Sequence, residues 1–143
     1  MEIPVLWKLK HKGEKQMAQP MKCTVLSTGE DVGYLSTWYA NVSLVKDRNS
    51  DQVAQVYWTQ KGTQSCLAKQ TEPTERWLGP GYPEEGSTAV WGLGKNYCYL
   101  EYDISSGTIT TTSEEKERLM LYWDGSYVRW GKQNQNTIGC KLD

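Results

Sequence analysis

Glu101 and Asp103 stand two positions apart, beside Tyr97 and Tyr99. On a β-strand that spacing sets both carboxylates on one face. A carboxylate pair among aromatics is the raw material of glycoside hydrolysis, which needs an acid and a base or nucleophile flanking one bond. Side chains on one strand face point in parallel, however, so the pair reads as a solvated strand face rather than a catalytic pair. The other catalytic sets are missing from the sequence. The single histidine, His11, lies in the lysine-rich KLKHKGEK, and no G-x-S-x-G, H-E-x-x-H, P-loop or dinucleotide fingerprint occurs. The expectation is a protein that binds rather than catalyses, without a cofactor.

Cys23, Cys66, Cys98 and Cys140 are dispersed. With no C-x-x-C pair and one histidine, a metal site is not expected. An even, scattered set points to two disulfides in an oxidising compartment. Buried free thiols are the alternative. Strand alternation turns Cys23 and Cys98 inward, so the expected pairing is Cys23–Cys98 with Cys66–Cys140.

The densest aromatic stretch is RLMLYWDGSYVRWGK, Arg118–Lys132. Asp-Gly is a strong signal for a two-residue hairpin turn. Counting outward from Asp124-Gly125 pairs Trp123 with Ser126, Tyr122 with Tyr127 and Leu121 with Val128. One face then holds Leu119, Leu121, Trp123, Val128 and Trp130, a core face. The other holds Arg118, Met120, Tyr122, Tyr127 and Arg129, a cationic aromatic face suited to contact.

The elements that must carry these residues are strands. PMKCTVL turns Met21, Cys23 and Val25 to one side. YLSTWYANVSLV is the longest alternation, with Trp38, Ala40, Val42 and Leu44 opposite Thr37, Tyr39, Asn41 and Ser43. QVYWTQKGTQSCLA reads as a hairpin across Lys61-Gly62, with Trp58 opposite Ser65. NYCYLEYDISSGTITTT reads as a strand, a Ser-Gly turn and a return strand, with Cys98, Leu100, Tyr102 and Ile104 inward. Residues 69–88, with three prolines, break every period and read as one long loop that offers Trp77 and Tyr82. One helix competes with the Asp124-Gly125 hairpin: Ser113 as cap for EEKERLM.

At 143 residues one domain, 1–143, is the default. Net charge is −1, which gives no global drive toward nucleic acid or anionic membrane. The lysines at 8, 10, 12 and 15 read as a protected edge strand rather than a nucleic-acid patch. No apolar run nears the roughly 20 residues of a membrane helix. Seven Trp and nine Tyr with no Phe favour half-wet sites as much as cores. Asn41 opens an N-V-S glycosylation sequon. A secreted protein is expected, which requires a leader upstream of Met1 to have been removed.

Two family patterns touch scattered positions. Cys23, Trp38-Tyr39, Cys98 and the WGK from Trp130 resemble an immunoglobulin variable domain, although Asn96 stands where that family has its corner tyrosine. DVGYLSTWYANV is similar to the first-strand motif of lipocalins, with Ser36 in place of a glycine. Neither amounts to membership. The combined expectation is an all-β, single-domain antiparallel sandwich or barrel with two disulfides. Its leading function is carbohydrate recognition: Tyr97, Tyr99, Tyr122, Tyr127, Trp77 and Tyr82 stack on sugar faces, and Glu101, Asp103 and Arg129 bind hydroxyls. The alternatives are a calycin-like barrel around a small apolar ligand and a protein-binding module using the 69–88 loop. A homo-oligomer through exposed aromatics is compatible with each.

Overall fold

The computed structural model describes residues 17–61, 64–69, 75–93 and 100–143. Met21–Val25 (β1), Asp31–Leu35 (β2) and Leu44–Val45 (β3) are joined by the last strand, Ile138–Leu142 (β12), into one sheet in the order β12-β1-β2-β3. Val56–Lys61 (β4), Gln64–Lys69 (β5), Arg76–Pro80 (β6) and Ala89–Gly92 (β7) form a second sheet in chain order. Glu101–Tyr102 (β8), Ile109–Thr112 (β9), Arg118–Trp123 (β10) and Val128–Gly131 (β11) form a third. Every pairing is antiparallel. The all-β expectation holds, and no helix occurs among the described residues. The described strands are divided among three four-stranded sheets, and among the described residues no closed barrel forms.

Local sequence explains much of this. In β1 the alternation of MKCTV buries Met21, Cys23 and Val25 and leaves Lys22 and Thr24 partly exposed. In β10 and β11 the core face is Leu119, Leu121, Val128 and Trp130, all fully buried, as the alternation requires. The register differs from the expected one by two residues. Leu121 pairs with Trp130, Tyr122 with Arg129 and Trp123 with Val128. Asp124 causes the shift: its Oδ1 accepts the amides of Ser126 and Tyr127, both at 2.7 Å, and Gly125 takes φ +97°. The connection is therefore longer than two residues, and a two-residue shift leaves each side chain on its face. The β4–β5 register is also offset by two residues, with Trp58 opposite Leu67 rather than Ser65.

Three expectations fail. The Ser113 helix is a turn followed by β10. Ser113 Oγ does accept the Glu117 amide at 3.0 Å, but Lys116 sits at φ +65°, outside helical space. The 69–88 loop is interrupted by β6, because Pro80 ends that strand and does not disrupt its pairing with Ala89. The long strand through Trp38 breaks after Leu35: Ser36 makes a single bridge to Val53, and Asn41 turns at φ +53°. The expected strand at the lysine-rich N-terminus lies outside the described residues.

Buried side chains from all three sheets form one cluster, including Met21, Val56, Leu78, Trp91, Ile109, Leu121, Trp130 and Ile138. The sheets are stitched by single bridges, Gln19 to Val56, Ser65 to Leu100 and Tyr122 to Thr137. Backbone bonds from Val42 N to Ala89 O, Val128 N to Val42 O and Trp130 N to Ser87 O bring one edge of each sheet to a common junction. Two arms of that junction share a sequence, G-S-x-x-x-W-G at 86–92 and 125–131. In each, the Trp is fully buried or nearly so.

Candidate functional site

β8, β9 and β10 lie side by side, with Glu101 paired to Thr110 and Thr110 to Met120. These three side chains therefore share one face, and Arg118 stands at its end. Beyond β8 the chain turns through D-I-S-S-G-T. Asp103 Oδ1 accepts the Ser105 amide at 2.9 Å and the Ser105 hydroxyl at 2.7 Å. Gly107 closes the turn at φ +80°, and a Cβ there would lie 2.8 Å from the Cys140 nitrogen. Only glycine fits both the angle and the space.

The strand face and the turn enclose an open groove of about 540 Å³, with Glu101, Asp103, Ile104, Thr110, Arg118 and Met120 on its walls. Arg118 Nη1 reaches Glu101 Oε2 at 3.2 Å. The Ser105 hydroxyl and amide hold the Asp103 carboxyl below the usual carboxylate range. A carboxyl so stabilised as an anion is a hydrogen-bond acceptor, not an acid that delivers a proton. A second groove of about 420 Å³ borders the same turn at Ser105 and includes Lys22, Asp31 and Lys141.

The structure thus brings together two expected contact residues, Glu101 and Asp103, and adds Arg118, which strand alternation places on the contact face without a role. Tyr102 lines the groove, but its hydroxyl donates to the Cys140 carbonyl at 2.6 Å, and burial pushes its pKa up to about 12. Ile104, expected inward, is exposed because it sits in the turn. Tyr97, Tyr99 and Cys98 lie outside the described residues.

The expected Tyr122–Tyr127 pair is not assembled. Tyr122 is half-buried, and its ring lies across Gly131; a Cβ on Gly131 would meet Tyr122 Cε1 at 2.7 Å. Its partner is Arg129. Arg129 bonds the Asp124 carboxylate and gives Nη1 to the Gly86 carbonyl at 2.8 Å, so it pins the 81–88 turn to β11. Burial pushes the Asp124 carboxyl up, but hydrogen bonds from Arg129 and the two turn amides outweigh it and hold the group low. These contacts give Arg129 a structural partner set. Trp77 is half-buried, paired to Ala68 and Gly92 across its sheet. Tyr82 stands 72% exposed at the 81–88 turn.

Two aromatics outside the expected contact set are also presented to solvent. Trp38 is 43% exposed and Tyr39 48%, on the loop after β2. Lys69 anchors that loop: Nζ donates to Thr37 O at 2.7 Å and Thr37 Oγ1 at 2.9 Å and lies 4.4 Å from the Tyr39 ring centroid. Arg76 Cζ lies 3.7 Å from the same centroid. Burial pushes the Lys69 ammonium down. The signal that could have found this loop is Ser36-Thr37 beside Asn41, polar turn formers inside an apparent strand. Asn41 itself is exposed, as its sequon requires.

The cysteines are arranged differently from the expected pairing. Cys23 stands directly opposite Cys140, with the sulfurs 3.4 Å apart. Cys23, Cys66 and Cys140 are all unbonded thiols in this structure, so the expected Cys66–Cys140 bond is not seen, and Cys98 lies outside the described residues. Among the described residues no group of three or more His, Cys, Asp or Glu is placed to hold a metal ion, and no helix is long and apolar enough to cross a membrane. Comparison with protein-family models, curated protein sequences and solved structures finds no match to this chain.

Proposed function

We propose that the chain is a secreted, non-catalytic recognition protein whose ligand is a carbohydrate, held in the groove formed by β8, β9, β10 and the 103–108 turn. The observation that carries this reading is the convergence of Glu101, Asp103 and Arg118 with Met120 and Ile104 in one open groove. Sugar hydroxyls both donate and accept, so a wall that alternates carboxylate, hydroxyl and guanidinium suits them. Met120 and Ile104 offer apolar surface to sugar C–H faces. Glu101 is engaged by Arg118, and Asp103 is held as an anion. That arrangement favours binding over bond cleavage. The reading includes two disulfides, a glycan on Asn41 and a single domain whose sheets pack face to face in sandwich fashion.

The barrel alternative is less supported, since the described strands form three open sheets and, among the described residues, no closed barrel. A second reading rests on Trp38 and Tyr39. Two adjacent exposed aromatics backed by Arg76 are the residue types that dominate protein interfaces, which makes this loop the candidate for a protein partner.

Calorimetry on purified protein separates the two. Glu101→Gln and Asp103→Asn should each weaken saccharide binding by about tenfold or more, the usual cost of losing a charge-assisted hydrogen bond, with unchanged circular dichroism. Trp38→Ala should leave that affinity unaltered. If Trp38→Ala abolishes binding and the carboxylate variants do not, the site is the loop.

A further inference from the structure

The Cys23 and Cys140 thiols are fully buried, face each other from the first and last strands and approach to 3.4 Å. They are 117 positions apart in the chain. The backbone sets how close such a pair can come. Cys140 donates its N–H to Gly107 O at 2.7 Å and accepts the Tyr102 hydroxyl on its carbonyl at 2.6 Å. Both polar groups point away from β1, which makes Cys23–Cys140 a non-hydrogen-bonded cross-strand pair. In that class the side chains stand closest, with Cα atoms roughly 4.5 Å apart, inside the range that a disulfide spans.

We infer that Cys23 and Cys140 are the site of a covalent cross-link that ties β12 to β1. The chemistry is a two-electron oxidation by a small-molecule disulfide such as oxidised glutathione. One cysteine thiolate attacks a sulfur of the oxidant and expels the first thiol, giving a mixed disulfide. The second cysteine then displaces the remaining thiol. Two protein thiols and one oxidant disulfide become one protein disulfide and two small thiols.

The structure also sets when this happens. Burial, with Cys140 alongside, pushes the Cys23 thiol well up, so Cys23 holds little thiolate in the folded protein. Neither sulfur is open to solvent. Exchange therefore precedes the docking of β12, and the finished bond is shielded from reductant by the same burial. Through Cys140 the link also anchors the 103–108 turn, which borders both grooves. The inference goes beyond the ligand reading and does not rest on it.

Peptide mapping of the full chain after refolding with oxidised glutathione tests it. Tryptic cleavage after Lys46 and Lys132, between the two cysteines, places Cys23 and Cys140 on distinct peptides, 23–46 and 133–141. The expected result is those two peptides joined, and neither cysteine alkylated in native protein. Cys23 joined to Cys98, or Cys23 and Cys140 both free after refolding, overturns the inference. A Cys23→Ala/Cys140→Ala double variant should melt roughly 10 °C or more below the oxidised wild type, as expected for losing a tether across so long a loop. An unchanged melting temperature would remove the tether from the account, and mapping of the wild type stands even if the variant fails to fold.

Discussion

Gly107 shows how one residue positions the site. Its left-handed backbone closes the 103–108 turn against Cys140, with no room for a side chain. Gly107→Ala combines an unfavourable φ with a steric conflict against backbone, so it should destabilise the fold by roughly 1–3 kcal/mol, read by denaturant melts. The Ser-Gly pair marked this turn in the sequence; the partner that makes glycine obligatory lies across the fold and is invisible there. Tyr102 supplies a second test. Its pKa is raised to about 12 by burial, against about 10 in an unfolded chain. Above pH 10 the unfolded state loses this proton and the folded state keeps it, so the unfolded state is favoured. Stability should be intact below pH 10 and fall between pH 10 and 12. Tyr102→Phe should flatten that fall; an identical alkaline slope in the variant would assign it elsewhere.

At the scale of elements, alternation read faces well and turns badly. The core faces of β1, β10 and β11 are the expected ones, because period-2 burial is local information. The β10–β11 register missed by two, because the hydrogen bonds of Asp124 decide the connection and an Asp-Gly pair does not report them. YLSTWYANVSLV shows the limit most clearly. A perfect alternation was broken by tertiary bonds, Ser36 to Ser43 and Thr37 to Gln52, that no local pattern encodes. The β10–β11 hairpin makes a sharp prediction. Trp130 is fully buried, whereas Trp123, on the same face near the turn, is only half-buried. Trp130→Ala should cost about 3–5 kcal/mol, the range for a buried aromatic, and Trp123→Ala clearly less. Equal losses in chemical denaturation would contradict this placement of the hairpin end.

For the whole molecule, edges of three sheets meet at a junction two of whose arms read G-S-x-x-x-W-G, at 86–92 and 125–131, a repeat that strand alternation alone does not single out. Closure by β12 on β1 was not legible, since pairing across nearly the full chain leaves no periodic mark. Glu101 and Asp103 were found from their spacing, Arg118 only through cross-strand register, and the exposed Trp38 and Tyr39 only from the folded loop. The central claim is that the groove at Glu101, Asp103 and Arg118 recognises carbohydrate without cleaving it. The most direct measurement is a glycan array probed side by side with wild-type protein and a Glu101→Gln/Asp103→Asn variant of matched melting temperature. The account predicts that wild type labels a defined set of glycans, that those glycans are recovered intact, and that the variant labels them weakly or not at all. Equal labelling by both proteins, no labelling by wild type, or cleaved glycan would contradict it.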